Sequence, residues 1–574
     1  MKTIEHFYTL IRAYEPIQVG EPIEVRAHML ATTLHCSKRN VKLLLRQFQE
    51  NGWIDWTPGI GRGNLSTLTL LKPWKQLLFG EAKKIAEQRS FSAAIQWLAN
   101  LSNGHELKTA FIQWYVVNIQ EEDKEGSGPD RLRFPSYRPL PCLDPAIIYR
   151  RTENHFARFL FDTPVTYDSD KNQYVPHLIH HWASDDDQTW RLFIRKGVLF
   201  HHGIEMTAGD VCMSLKRHHS RSPYHWISSM ISTCHELDRY TVEIKLKYPF
   251  PSFLSLLTSL GATVVQTASL SQAHPIGTGP FKVKENTDYR FVIEAHHNYF
   301  KSRPLLDGVE LYFVPDLYEQ QQLHPVSDKD NSNFFHYQYE SEKRKDFVET
   351  SQLDRCCKMV TINATSVPLP IRQFLRQTLD KEKMIHDLQG TRERAATQLY
   401  EGTHIFTPSQ EISRAIPGTH LHLLTYEGAG NERDADWLTK EWSRYGVKLT
   451  VDILPLVTIY ENPKIMKKAD LFLTEQLTEE DPLLTYLWLL LSEMSPIFHH
   501  METSVQKDVL KQLSSPRTVL LTHVQAVEKR LLDEAVLLPL YRLRQYAYHP
   551  PTLQNVHLNS YGWLDYTKAW FMRR

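Results

Sequence analysis

Ser37-Lys38-Arg39-Asn40-Val41-Lys42-Leu43-Leu44-Leu45-Arg46-Gln47-Phe48-Gln49-Glu50, followed by Asn51-Gly52-Trp53-Ile54-Asp55-Trp56, decides how the N-terminal part of this chain folds. A serine ahead of a helical run offers its hydroxyl to a backbone N–H left free in the first turn. Val41, Leu44, Leu45 and Phe48 then recur at helical spacing, and Asn51-Gly52 ends the helix. The other face carries Lys38, Arg39, Asn40, Lys42, Arg46 and Gln49. Upstream, Ile4, Phe7, Ile11 and Tyr14 predict a first helix, closed by Pro16, Gly20 and Pro22. A second helix is expected over about Val25 to Leu34, with His35-Cys36 as the break before Ser37. Two helices joined by a tight turn, the later one basic on its exposed face, read as helix-turn-helix. Downstream, Trp53-Ile54-Asp55-Trp56 and Leu65, Leu68 and Leu70 read as strands. Between them, Pro58-Gly59-Ile60-Gly61-Arg62-Gly63-Asn64 is a turn with an arginine at its tip, a wing. Those glycines open no helix and precede no Lys-Ser/Thr pair, so they are not a phosphate loop.

Charge supports the same reading. The chain has 574 residues and a formal net charge of zero, so total charge points to no polyanion. Between Arg26 and Lys75, however, the bases are Arg26, Lys38, Arg39, Lys42, Arg46, Arg62, Lys72 and Lys75, against Glu50 and Asp55 alone. A basic module in a neutral protein is the footprint of a polyanion-binding domain, weighed against a solvated surface that happens to be basic. With 42% hydrophobic and 23% charged residues, the whole is an ordinary soluble globular composition, long enough for several domains.

Several function classes are excluded. Cys36, Cys142, Cys212, Cys234, Cys356 and Cys357 include no CxxC pair, which fits a reducing compartment better than a disulfide scaffold. The histidines include neighbours such as His201-His202, His218-His219 and His296-His297, but no HExxH or zinc-finger spacing occurs, and neither a metal nor a cofactor is expected. Nucleophile-elbow, P-loop and dinucleotide fingerprints are missing, so the chain is not read as an enzyme. Its first residues lack an apolar export core, and no run of eighteen apolar residues appears. A cytoplasmic protein without membrane association is expected.

A connecting helix is predicted over Glu81 to Leu101 and another over Leu107 to Asn118. The connector is left with two roles, packing on the head or pairing two copies as a homodimer. Glu121-Glu122-Asp123-Lys124-Glu125-Gly126-Ser127-Gly128-Pro129, acidic and then glycine-rich, is the clearest linker. The expected organisation is a DNA-binding head over 1–75, a helical connector over 76–118, a linker over 119–134 and a ligand-sensing body over 135–574, whose second lobe covers about 350–514.

The stretch from Ser37 through Trp56 to Gly61-Arg62-Gly63 resembles the N-terminal domain of the SgrR family of bacterial regulators. The resemblance implies a winged helix-turn-helix in which the Ser37 helix recognises double-stranded operator DNA. On chemical grounds Arg39 and Asn40 reach base edges, while Lys38, Lys42, Arg46 and Arg62 contact phosphates. The body resembles the family 5 solute-binding proteins, the receptors of peptide and nickel importers. The matching pieces are Leu143-Asp144-Pro145-Ala146, Phe159-Leu160-Phe161-Asp162, the block from Trp190 to Arg217, Ile276-Gly277-Thr278-Gly279-Pro280-Phe281, Pro370 to Leu375 with Asp380 to Ile385, and Leu538-Pro539-Leu540-Tyr541. They imply a periplasmic-binding-protein-like body of two α/β lobes closing on a small solute, with pieces of the first lobe drawn from both ends of the body.

Peptide-binding members hold the peptide amine with an aspartate that follows a strand of the second lobe. Here that region reads Ala469 to Gln476 and then Glu479-Glu480-Asp481-Pro482, without the usual tryptophan and aspartate. Glu479, Glu480 and Asp481 are therefore the candidate ligand residues, weighed against a solvated acidic loop. A sugar, a sugar phosphate or an oligopeptide is the expected ligand class. Trp190 and Tyr426 are read as core aromatics rather than sugar platforms. The leading reading is a ligand-responsive transcriptional regulator; the alternative is the receptor of a peptide- or nickel-type importer.

Overall fold

The computed structural model describes residues 3–27, 29–60, 64–101, 105–118, 128–136, 138–219, 222–269, 274–313, 335–337, 347–400, 418–428 and 430–572. The chain falls into two compact units, a head over Met1–Ile119 with Phe313–Tyr318 and a body over Gln120–Tyr312 and Glu319–Arg574.

In the head, helices Thr3–Ala13, Leu30–Thr33 and Lys38–Glu50 pack on a sheet ordered Pro22–Val25, Ser66–Leu70, Ile54–Thr57. Phe7 is fully buried, with its ring centroid 5.5 Å from Phe48 and 5.1 Å from Trp53. The helix expected over Val25 to Leu34 shrinks to Leu30–Thr33. Val25, where that helix was expected to start, instead ends a strand, Pro22–Val25, with Pro22 opposite Thr69 and Val25 opposite Ser66. Proline is tolerated at a strand's first residue, and the pairing that selects the strand comes from the far side of the wing. His35 adopts φ of +50° in the turn before Ser37. The wing strands Ile54–Thr57 and Ser66–Leu70 pair as expected, and the Gly59 N–H donates to Ser66 Oγ at 3.0 Å. Gly61-Arg62-Gly63 lies outside the described residues.

The connector is three helices, Trp74–Gln88, Phe91–Ala99 and His105–Asn118. The single helix expected over Glu81 to Leu101 breaks at Ser90, whose hydroxyl accepts from the Ala93 N–H at 3.1 Å and starts a new helix. Trp97 Nε1 donates to Glu5 Oε1 at 3.0 Å, so the connector docks on the head's first helix. Helix Trp74–Gln88 runs through residues 75 and 76, where the head was expected to give way to the connector. The linker segment 121–127 lies outside the described residues.

Besides a hairpin, Val165–Asp168 with Gln173–Pro176, the body's first lobe holds two four-stranded sheets. One is ordered Ile179–Ala183, Thr189–Ile194, Thr241–Leu246, Ile231–Asp238; the other is Phe281–Asn286, Arg290–Ala295, Gly308–Phe313, Arg131–Ser136. Arg131–Ser136 falls in the stretch expected as linker, so ordered body structure starts earlier than residue 135. The second lobe is one mixed sheet in which Phe335–Tyr337, Leu537–His549, Lys358–Ile362, Leu471–Glu475, Thr419–Tyr426 and Val447–Leu454 follow in order. Val348–Leu353 and Arg392–Ala395 also pair with Leu537–His549. Thr419–Tyr426 runs parallel to Val447–Leu454 across helix Asn431–Ser443. Alternation along this strand buries Leu421 and Leu423 under the helices on one face and Leu424 and Tyr426 under those on the other. This lobe therefore extends past the expected limit near 514, through helix Arg517–Asp533 and the strand to His549. The chain then returns to the first lobe, where Tyr566 packs against Phe156 and Phe159.

Gly277 and Gly279 fix the centre of the first lobe. A Cβ at Gly277 would lie 2.0 Å from the Leu160 carbonyl oxygen, and one at Gly279 2.4 Å from that of Phe159. Between them, Thr278 Oγ1 donates to the buried Asp162 carboxylate at 2.9 Å. His177 and the Tyr299 hydroxyl bond the same carboxylate at 2.8 and 3.0 Å. Burial would raise the Asp162 pKa, but His177 and the hydroxyls outweigh it and hold the group below the ordinary carboxylate value. Gly277→Ala is expected to cost about 1–3 kcal/mol as an overpacked site, read as a lower urea midpoint for the body.

Burial also keeps histidines neutral. It pushes His201 down to about 3, with neighbouring His296 adding to the effect, and His218 and His500 down to about 4. The unfolded chain protonates these side chains near pH 6.5, so it binds more protons than the folded chain below that pH. Stability should be fully present above about pH 6.5 and decline as pH falls towards 4. Thermal unfolding from pH 8 to 4 checks this; a flat midpoint between pH 6.5 and 4 would contradict it.

Candidate functional site

Three of the head's cations, Lys38, Arg39 and Lys42, stand together at the start of one helix. Ser37 caps Lys38–Glu50, its hydroxyl accepting from the Asn40 N–H at 3.3 Å. Val41, Leu44, Leu45 and Phe48 are buried, as the spacing predicts, which turns Lys38, Arg39 and Lys42 to solvent. These three make no ion pair among the described residues. Asn40 is half-buried beside them. Arg46 differs, because its Nε contacts Glu50 Oε1 at 2.7 Å. This pair is exposed and worth little, yet it partly neutralises the cation farthest along the helix. Gln49 Nε2 donates to the Trp56 carbonyl at 3.3 Å and holds the helix to the first wing strand. A capped helix N-terminus bearing unpaired cations suits an anion, since its free N–H groups and its dipole act with the side chains.

In the body, the lobes meet along a seam of buried charge. Helix Arg151–Leu160 belongs to the first lobe, and its two arginines, seven residues apart, face the second. Arg151 donates to the Asp354 carboxylate at 3.3 and 3.1 Å, to Glu475 Oε1 at 3.2 Å and to the Tyr561 carbonyl at 2.7 Å. Arg158 bonds Glu479 directly and the Tyr561 hydroxyl at 2.8 Å, with its guanidinium 5.0 Å from the centre of the Tyr561 ring. Burial alone would depress Arg158, but Glu479 and Tyr561 outweigh it and keep its pKa above the ordinary arginine value. Burial lifts Asp354 above the usual carboxylate value despite Arg151. Tyr224 is also raised, by burial first and then by Glu479. Beside this seam, Tyr149 of the first lobe stacks on Tyr460 of the second with centroids 4.1 Å apart.

The three acidic candidates have different surroundings. Glu479 sits at the seam with Arg158 and Tyr561. Glu480 pairs with Arg355 at 3.1 Å and accepts from the Ser560 N–H at 3.0 Å. Asp481 is a structural group: it caps helix Pro482–Leu491 and receives Arg517 at 2.8 Å. Its carboxylate also accepts from Ser255 at 2.5 Å and from Tyr174 at 3.2 Å, both across the lobe boundary. Glu479 and Asp481 are withdrawn from solvent, whereas the Glu480 side chain stays 38% exposed. Trp190 packs on Phe253 and donates to the Asp187 carbonyl, a core residue as expected. Tyr426 is buried under the second-lobe helices, its hydroxyl 3.5 Å from the Glu475 N–H. Sequence reading missed Arg151, Arg158, Asp354, Glu475 and Tyr561. The readable signal was the Arg151–Arg158 spacing, two helical turns on one face.

Among the described residues, no group of three or more His, Cys, Asp or Glu side chains is placed to hold a metal ion, and no helix is long and apolar enough to cross a membrane. Removing Arg158 alone should strand Glu479 in the seam at a cost of about 3–5 kcal/mol. A double-mutant cycle of Arg158→Ala and Glu479→Ala should return a coupling of about 0.5–3 kcal/mol in chemical denaturation; additive effects would show that the pair does not couple the lobes.

Two family profiles match the chain. The N-terminal domain of the sugar transport-related sRNA regulators covers residues 2–122, and the middle segment of the bacterial extracellular solute-binding proteins, family 5, covers 173–397. Among relatives, the uncharacterized protein YhjP of Bacillus subtilis is 26% identical, with 100% of each chain aligned. The HTH-type transcriptional regulator SgrR of Photorhabdus laumondii is 26% identical over 96% of each chain, and that of Yersinia enterocolitica is 26% identical over the same shares. Among solved structures, the murein tripeptide binding protein MppA of Escherichia coli superposes at a TM-score of 0.62 with 18% identity, covering 78% of this chain and 99% of its own. The Helicobacter pylori DppA complex with the peptide STSA gives 0.65 with 14% identity, over 77% and 98%. NikA of Brucella suis with Fe(III)-EDTA gives 0.63 with 16% identity, over 77% and 100%. At these identities the superpositions establish the body's fold: a two-lobed solute-binding architecture.

Proposed function

The chain belongs to the SgrR family, a winged helix-turn-helix head joined to a family 5 solute-binding body, and from that premise we propose that it is a cytoplasmic transcriptional regulator that binds operator DNA and responds to a small solute. The observation that carries the reading is the face of Lys38–Glu50, where Lys38, Arg39 and Lys42 stand exposed beside the cap, without an ion pair among the described residues. Arg39 and Asn40 read base edges in the major groove. Lys38, Lys42 and Arg46 hold phosphates, joined by Arg62 from the wing. Arg46 has the smaller share because Glu50 already engages it. The protein acts by binding rather than catalysis. An importer receptor would share the body but leave this head without a task.

The solute occupies the seam between the lobes. An oligopeptide amine directed at Glu479 must first displace Arg158. A phosphate directed at Arg158 must likewise displace Glu479. Neutral hydroxyls can bond the pair and Tyr561 without breaking it, so the standing pair favours a hydroxyl-rich solute such as a sugar. Closure around the solute then biases the head's affinity for DNA by about 1–3 kcal/mol. Equal operator affinity with and without the solute would sink this coupling while leaving DNA binding intact.

Mobility-shift titration of the full chain against its own upstream DNA and a random duplex tests the head. Arg39→Ala should cost about 1–3 kcal/mol on the specific site and less on the random one. Lys42→Ala should weaken both alike and lower the salt slope by about 1. Equal binding of the wild type to both duplexes, unaffected by either substitution, would overturn the assignment.

A further inference from the structure

Cys212 and Cys234 lie together inside the first lobe. Cys212 is on helix Ala208–Lys216 and Cys234 on strand Ile231–Asp238, 22 positions apart. The strand is an edge strand, largely exposed, and Cys234 is its one fully buried residue. Its thiol donates to the Cys212 sulfur with the two sulfurs 2.7 Å apart. Helix and strand are each held independently. Asp210 accepts from the Thr207 backbone N–H at 2.8 Å at the helix start, and Ser214 Oγ accepts from the Val265 N–H at 3.0 Å. Along the strand, Cys234 lies opposite Ile244 in the sheet register. Two thiols pressed together by a fixed helix and a fixed strand need little backbone movement to join.

We propose that Cys212 and Cys234 are a reversible dithiol–disulfide modification site, oxidised by a small peroxide. Cys212 is the attacking sulfur. It keeps 7% of its surface against 1% for Cys234. The hydrogen bond from Cys234 holds it below its ordinary thiol value, with Lys216 one turn along the helix acting in the same direction. Its thiolate takes one oxygen from hydrogen peroxide to give a sulfenic acid, and the remaining hydroxide takes up a proton as water. The Cys234 sulfur then displaces hydroxide from the sulfenic sulfur, and the Cys234 proton leaves with it as a second water. The two thiols lose two electrons in total, peroxide gains them, and a thiol reductant reverses the reaction by exchange. The bridge encloses Pro223 and Tyr224. The Pro223 carbonyl accepts from Ser492 Oγ of the second lobe at 2.9 Å, and the Tyr224 ring leaves no room for a Cβ at Gly261. Oxidation would therefore tether a segment that borders the charged seam.

The test treats the folded full-length protein with graded hydrogen peroxide, blocks remaining thiols under denaturing conditions, and maps the digest by mass spectrometry. A cross-linked peptide pair joining Cys212 to Cys234 is expected, absent after dithiothreitol, while the adjacent Cys356 and Cys357 stay alkylatable. Cys234→Ser should leave Cys212 as a trappable sulfenic acid, and Cys212→Ser should abolish oxidation of Cys234. If Cys212 and Cys234 both remain alkylatable in the folded wild type, or if Cys212 oxidises to sulfinic acid with Cys234 still a thiol, the assignment is wrong.

Discussion

Two carbonyl oxygens, those of Phe159 and Leu160, stand where a side chain would otherwise have to fit. Gly277 and Gly279 press against them so closely that any Cβ would collide. The approach fixes the end of helix Arg151–Leu160 against the start of strand Phe281–Asn286, with Asp162 and Thr278 bonded alongside. From that anchored end the helix aims Arg151 and Arg158 across the lobe boundary. Neither guanidinium can be buried without a counter-charge, and Asp354, Glu475 and Glu479 of the second lobe supply it. A packing constraint in one lobe thus determines which acids the other must bring to the seam.

Head and body use charge in opposite ways within one neutral chain. The head leaves Lys38, Arg39 and Lys42 exposed and without an ion pair among the described residues. There their field reaches through solvent to any polyanion within about a Debye length. The body pairs its cations in buried positions: Arg392, Lys358 and Tyr541 surround a fully buried Asp434 beneath the second-lobe sheet. Burial makes each such pair costly to disrupt from one side. One set is arranged for an external partner and the other for internal geometry, a difference that formal net charge conceals.

Legibility in the sequence followed the range of the interaction. The Lys38–Glu50 helix, its Ser37 cap and the wing strands were readable because their determinants lie within a few residues. Gly277–Phe281 was recognised through the family resemblance alone, its glycines being required by the distant Phe159 and Leu160 carbonyls. Pro22–Val25 was not, since its conformation is chosen by Ser66–Leu70 across the intervening helices. The connector's break at Ser90 was missed because alanine-rich periodicity runs on past it while a single hydroxyl restarts the helix. Of the seam, only Glu479, Glu480 and Asp481 were found, as a run of acids. Their partners lie hundreds of positions away, Arg158 being 321 residues from Glu479 and Arg151 203 from Asp354. Pattern reading has no access to such pairs. The second lobe's true extent was hidden for the same reason, its central strand coming after residue 514.

That strand, Leu537–His549, hydrogen-bonds to four described strands: Phe335–Tyr337, Val348–Leu353, Lys358–Ile362 and Arg392–Ala395. It is also the last of the sheet in sequence order. On a ribosome the chain emerges from its N-terminus, at about 5–20 residues per second. Nearly all of the head unit lies within Met1–Ile119, so it is synthesised well before the second lobe receives the strand its neighbours require. Every newly made molecule therefore passes through an interval in which the head is tethered to an incomplete two-lobed body, and any chain broken off before residue 537 stays in that condition.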